Sequence, residues 1–224
     1  MRKNIICTVL LLITFLYSPC LKGTGSTSLN ILNCKQLYIE MQLENVIDYN
    51  AFEQAIAGYN KMKEKCNHIV TLIDFTKPST EKRFYVLDIK QKKMLYLSYV
   101  SHGRNSGENY ATSFSNRSGS NKSSLGFYLT ENTYYGKNGY SLILSGLEKG
   151  INDRAKERAI VIHGAAYSNP AIIASNGRLG RSLGCPALPQ AVSESIINTI
   201  KNGSLLYIYA NDENYLNQSR FLSH

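Results

Sequence analysis

Two side chains in the C-terminal third of the chain can do covalent chemistry together, the thiol of Cys185 and the imidazole of His163. A thiol attacks as its thiolate, and an imidazole can take the thiol proton and later deliver it to a leaving group. The stretch 159–190 holds both residues and contains no Asp or Glu, while it contributes Arg178 and Arg181. A positive local field of this kind favours a thiolate. Gly184, just before Cys185, allows a tight turn from which the amides of Gly184 and Cys185 can point at a developing oxyanion. Pro186 fixes the direction in which the chain leaves. Taken alone, a Cys and a His 22 residues apart also fit a buried structural thiol and a satisfied core histidine.

The elements that must position these groups can be read from local pattern. Residues 159–163 (AIVIH) read as a buried strand that ends at His163, and Gly164 follows it. Residues 190–200 read as a helix and 204–209 as a last strand. Upstream, 68–74, 83–89 and 94–100 are β-branched and aromatic runs, separated by turns at 77–79 and 90–92, which predicts a three-stranded meander. Asp74 and Asp88 read as hairpin ends within it. Residues 126–130 and 141–144 read as short strands and 151–158 as a short helix. Residues 33–65 read as helical, with Asn50 as cap and Glu53 at capping-box spacing. The Gly, Ser and Asn-rich stretch 101–124 reads as a long functional loop.

Composition bounds the class. The chain has 224 residues, 43% of them hydrophobic, with 16 Tyr, no Trp and a net charge of +9. That is enough apolar material for one core, and it excludes a collagen, a coiled coil, a polytopic membrane protein and a knottin-like scaffold. Arg2 and Lys3 precede a nearly unbroken apolar run over 5–17. As a helix this run is about 20 Å long, short of a ~30 Å hydrocarbon core. It reads as a secretory signal peptide, with lipidation at Cys20 left open. Export makes a cell-envelope polyanion or a carboxylate-bearing substrate a better match for the basic balance than nucleic acid. The pairing of Cys34 with Cys66 is left open, and the four His form no close metal-ligating cluster with Cys or carboxylates.

Several short motifs occur in a fixed order: His163-Gly164-Ala165 with Tyr167, then GRLGRSLGCPA over 177–187. Upstream of them lie SHGRNSG (101–107), FSN (114–116), SSLGFY (123–128) and SLILSGLEKGIN (141–152). On these motifs the chain resembles the L,D-transpeptidase (YkuD-type) catalytic domain, and more narrowly its murein L,D-transpeptidase-like branch. The resemblance covers roughly 68–209. Leu183 stands where the wider superfamily has a His before Gly-Cys, and Pro186-Ala187 stand where it has Asn or Arg after the Cys.

The resemblance implies a mainly β fold with flanking helices, a β-sandwich or barrel catalytic domain. The expected organisation is a signal peptide over 1–23, an N-terminal helical segment over 30–66, the catalytic domain over 67–212 and a C-terminal tail over 213–224. It implies an exported cysteine peptidoglycan L,D-transpeptidase, in the periplasm or cell envelope, acting on stem peptides through a Cys185 thioacyl-enzyme. His163 is base and acid, oriented by a backbone carbonyl, Ser182 braces the turn, and Gly184 lends its amide. Arg178 and Arg181 are expected to meet a stem carboxylate, or else to pin the loop. Tyr167 and Tyr128 are candidates to line the groove, with packing the default for each, and His102 is an alternative imidazole that either lies on its rim or simply closes a hairpin. No cofactor, metal, nucleic acid or lasting transmembrane span is expected, and the chain is expected to be a monomer. An L,D-carboxypeptidase, an L,D-endopeptidase and a non-catalytic wall-binding module remain the alternatives.

Overall fold

The structure is a computed structural model that describes residues 31–63 and 65–223. The signal-peptide and Cys20 readings lie outside the described residues. Two helices, α1 (Ile31–Glu40) and α2 (Tyr49–Lys61), precede three strands, β1 (Ile69–Asp74), β2 (Phe84–Asp88) and β3 (Lys93–Ser98). A long connection leads to the hairpin β4 (Gly126–Gly136) and β5 (Gly139–Gly146), then to β6 (Val161–Ala165). Two single 3-10 turns and the short α3 (Ile173–Asn176) lead to β7 (Ala187–Pro189), α4 (Gln190–Ile200), β8 (Leu205–Tyr209) and α5 (Glu213–Gln218).

The eight strands form one sheet in the order β3-β2-β1-β8-β4-β5-β6-β7. β1 and β8 lie at its centre and run parallel, and every residue of β8 is buried. That is why LLYIY is an apolar run without alternation. Beyond β3, Ser101 bridges Ala187 of β7 and Gly103 bridges Ser182, so the two edges of the sheet are joined. The result is a mainly β, nearly closed barrel with a few helices. Its closure falls at the Cys185 turn.

The helices seal the barrel. α2 starts at Asp48, whose carboxylate accepts from the N–H of Ala51 at 3.0 Å. The cap is therefore Asp48 and not Asn50, because Asp48 is the last residue outside the helix and Asn50 already lies inside it. Gly58 lets α2 approach β4 closely, since a Cβ there would fall 2.1 Å from the Phe127 ring. α4 covers the opposite side, where Tyr140 donates to Asn198 at 2.8 Å and Thr130 to the carbonyl of Ile200 at 2.6 Å.

Two further elements differ from expectation. Residues 151–159 form successive turns rather than a helix. Asn152 diverts its side chain to the carbonyls of Leu125 and Phe127 and accepts from the Glu148 N–H, so it competes with helical bonding. Residues 213–223 pack against the barrel: Phe221 stacks on Phe127 at 4.9 Å, and buried Glu148 accepts from Tyr215, Ser219 and the Phe127 amide.

Candidate active site

The turn before β7 is built by side chain–backbone bonds. Ser182 donates its hydroxyl to the carbonyl of Cys185 at 2.6 Å and accepts from the Gly184 N–H at 3.0 Å. Its own N–H donates to the carbonyl of His102 at 2.9 Å, which ties the turn to the segment after β3. Gly184 has φ +131°, a region that side chains with a Cβ rarely adopt. A Cβ there would lie 2.9 Å from both Ile160 and the Lys122 carbonyl. Leu183, between these braced residues, turns outward and is 63% exposed.

Cys185 is nearly enclosed, with 9% of its surface exposed. Its sulfur accepts from the Val161 N–H at 3.5 Å and donates towards the Ala159 carbonyl at 3.6 Å. Burial raises the thiol above its ordinary value, against the opposing pull of the Val161 amide, the Arg158 charge and the residue's own amide.

His163 sits on β6, whose parallel register with β7 sets it opposite Ala187, two residues beyond Cys185. Its Nδ1 lies 3.0 Å from the carbonyl of Gly164. A carbonyl only accepts, so Nδ1 carries the proton and Nε2 is left as the basic nitrogen. Burial lowers His163 below its ordinary value. Burial thus disfavours the charged form of both groups, the reverse of the thiolate that the acid-free stretch suggested. The sulfur bonds to Ala159 and Val161, and the imidazole bonds to Gly164.

Strand alternation gives His163 its surroundings. β6 and β5 pair with His163 opposite Ser141 and Val161 opposite Ile143, while Tyr134 of β4 faces Ser141. These residues share the sheet face away from α4. Tyr134, Ile143 and Val161 line a cavity of about 420 Å³, together with Lys156 and Glu131, which pair at 2.6 Å. Tyr167 packs edge-on against His163, its centroid 6.4 Å away.

The remaining sequence candidates divide. Arg178 and Arg181 both reach Glu108, at 2.9 and 2.6 Å, and Arg181 also bonds the carbonyls of Arg104 and Gly107. The stretch without acids therefore acquires one from the 101–124 connection. His102 is not on a rim. It is fully buried, it accepts from Arg83 at 2.8 Å, and it faces the Gly107 carbonyl at 3.2 Å. Burial and the Arg83 charge push its pKa down to about 4. Tyr128 is also buried, bonded to the Ser124 carbonyl, and lines no groove. The Gly184 amide is engaged by Ser182, so in this state it is not open to an oxyanion. Cys66 is disulfide-bonded, while Cys34 is free and buried, so these two do not pair.

Arg158 was missed by motif reading, which placed it in a helix. The available signal was its place directly before the strand that carries His163. Among the described residues, no three His, Cys, Asp or Glu gather as metal ligands, and no helix is long and apolar enough to cross a membrane.

A family model described as the L,D-transpeptidase catalytic domain matches residues 43–209. No curated protein matches the chain. Among solved structures, an L,D-transpeptidase from Mycobacterium smegmatis is similar at 13% identity, over 64% of this chain and 59% of that one, with a TM-score of 0.39. An L,D-transpeptidase from Mycobacterium tuberculosis H37Rv gives 13% identity, 64% and 58% coverage and a TM-score of 0.41. The helical cell shape determining protein Pgp2 from Campylobacter jejuni gives 14% identity, 66% and 49% coverage and a TM-score of 0.45. The chain spans less than two thirds of the length of each of these proteins.

Proposed function

Because this chain belongs to the L,D-transpeptidase catalytic-domain family, we propose that it is an exported cysteine acyltransferase acting on peptidoglycan stem peptides. Cys185 is the nucleophile. Rotation of its side chain away from Ala159 and Val161 turns the thiol to Nε2 of His163, which takes the proton. The thiolate attacks the carbonyl of the diamino acid at stem position three. The bond to D-Ala at position four breaks, His163 returns the proton to the departing amine, and a thioester remains on Cys185. An amine of a second stem, or water, then attacks that thioester and restores the thiol.

The observation that carries this reading is the His163–Gly164 bond. It leaves the basic nitrogen of the imidazole free, on the strand beside the Cys185 turn. Ser182 holds the turn, and Tyr167 borders the site. Arg178 and Arg181 take a stem carboxylate in place of Glu108. The chain acts as a monomer in the periplasm or cell envelope.

Product analysis by mass spectrometry on purified tetrapeptide stems tests the proposal. D-Ala release with crosslinked dimers when acceptor stem is added supports the transpeptidase. Tripeptide as the sole product assigns the chain to the hydrolases of this mechanism. An intact stem, with Cys185 inert to alkylation, leaves only a wall-binding module. A neutral, enclosed thiol is what that last reading would need, so reactivity at Cys185 decides between them.

A further inference from the structure

Arg158 lies near the end of the run of turns that leads into β6, and its side-chain hydrogen bonds all go to one segment. Nη1 donates to the carbonyl of Ser115 at 2.8 Å and to the Ser124 hydroxyl. Nη2 donates to the carbonyl of Lys122 at 2.6 Å and reaches the Ser120 hydroxyl at 3.5 Å. Every acceptor is neutral, and among the described residues no carboxylate pairs with this guanidinium. Its charge is therefore not cancelled locally, unlike those of Arg178 and Arg181, which share Glu108.

The segment that Arg158 holds is the one the nucleophile turn rests on. Ser123 donates to the carbonyl of Gly184 at 3.1 Å and accepts from the Gly103 N–H at 3.0 Å. A Cβ on Gly184 would lie 2.9 Å from the Lys122 carbonyl and 3.4 Å from Nη2 of Arg158. The guanidinium thus bonds the strap and lies near the residue before Cys185. We propose that Arg158 is the positioning residue of the site, locking the 115–124 strap under the Cys185 turn and supplying the positive charge that favours the attacking thiolate. This rests on Cys185 being the nucleophile.

Arg158 and Tyr167 interact electrostatically with Cys185, and His163 stands on the neighbouring strand β6. Tyr167 is pushed far up by burial and stays neutral. His163 is lowered by burial and is neutral once the pH is above its ordinary range. Arg158 is then the standing charge among them, and Cys185 is in turn one of the groups that favour the charged Arg158.

The test is the pH profile of Cys185 alkylation by iodoacetamide in the full chain, read at the Cys185 peptide by mass spectrometry. Arg158→Gln is expected to move the midpoint up by about one pH unit, so the rate at pH 7 falls about tenfold while the high-pH plateau is unchanged. Arg158→Lys keeps the charge and loses the fork. Its midpoint is expected to stay near that of the native chain, while amide exchange over 115–124 speeds up. A folded Arg158→Gln whose profile superimposes on the native one overturns the proposal. If Arg158→Gln does not fold, Arg158→Lys decides alone: a midpoint one unit high also overturns it. Loss of D-Ala release in Cys185→Ala tests the underlying assignment separately. If that variant stays fully active, the nucleophile is wrong whatever Arg158 does.

Discussion

Glu108 and Arg181 close a 2.6 Å ion pair over the outer side of the Cys185 turn, and Arg178 grips the same carboxylate from its other oxygen. Glu108 is 72% exposed at its side chain, while the two guanidiniums are more enclosed, at 27% and 22%. An exposed acid thus occupies a more enclosed basic fork, the place the proposed function gives to a stem carboxylate.

Glu108→Gln is expected to empty that fork without harming the fold, because an exposed ion pair contributes little to stability. KM for a stem with a free carboxylate should fall a few-fold, with kcat unchanged. Steady-state kinetics on free-acid and amidated stems check this. Equal KM changes for both substrates would count against the fork as a carboxylate site.

Ser182→Ala removes the acceptor of the Gly184 amide and the donor to the Cys185 carbonyl together. Both groups are buried, so the loss should cost about 1–3 kcal/mol of stability. A shift of about 1 Å in the nucleophile should lower kcat by on the order of 100-fold. Thermal unfolding and single-turnover acylation measure the two effects, and Ser182→Thr should restore most of both.

His102 gives the stability curve a sign. The native state keeps it neutral down to about pH 4, whereas the unfolded chain protonates it below about 6.5. Between those values the unfolded state binds more protons, so stability falls as pH falls, by up to about 3 kcal/mol. His102→Gln should lose less stability than the native chain when urea unfolding at pH 7 is compared with pH 4.5. Identical losses in both would show that His102 protonates normally in the fold.

The sequence made some of this architecture readable for physical reasons. Strands β1 to β3 are β-branched and aromatic runs between polar turns, so local pattern located them, and α4 has an apolar stripe bounded by Pro189 and Lys201. The outer half of the β4–β5 hairpin was not readable. Beyond Thr130 its residues alternate into solvent without an apolar face, and a register shift between Thr130 and Thr133 breaks the period. At the site, Cys185, His163 and Ser182 came from two short motifs within the stretch 159–190. Glu108 on the arginines and Arg158 under the turn did not. Each depends on chain closure that brings the 101–124 segment to β7, and no spacing within a single segment reports such a contact.

The central claim is that Cys185 carries the acyl group. The most direct measurement is the intact mass of the full chain after exposure to tetrapeptide stem or a carbapenem, with the adduct mapped by peptide. The expected result is one covalent adduct on the Cys185 peptide, absent in Cys185→Ala, together with loss of D-Ala release in that variant while its unfolding transition is kept. A folded Cys185→Ala that still forms the adduct, or still releases D-Ala at the native rate, would contradict it.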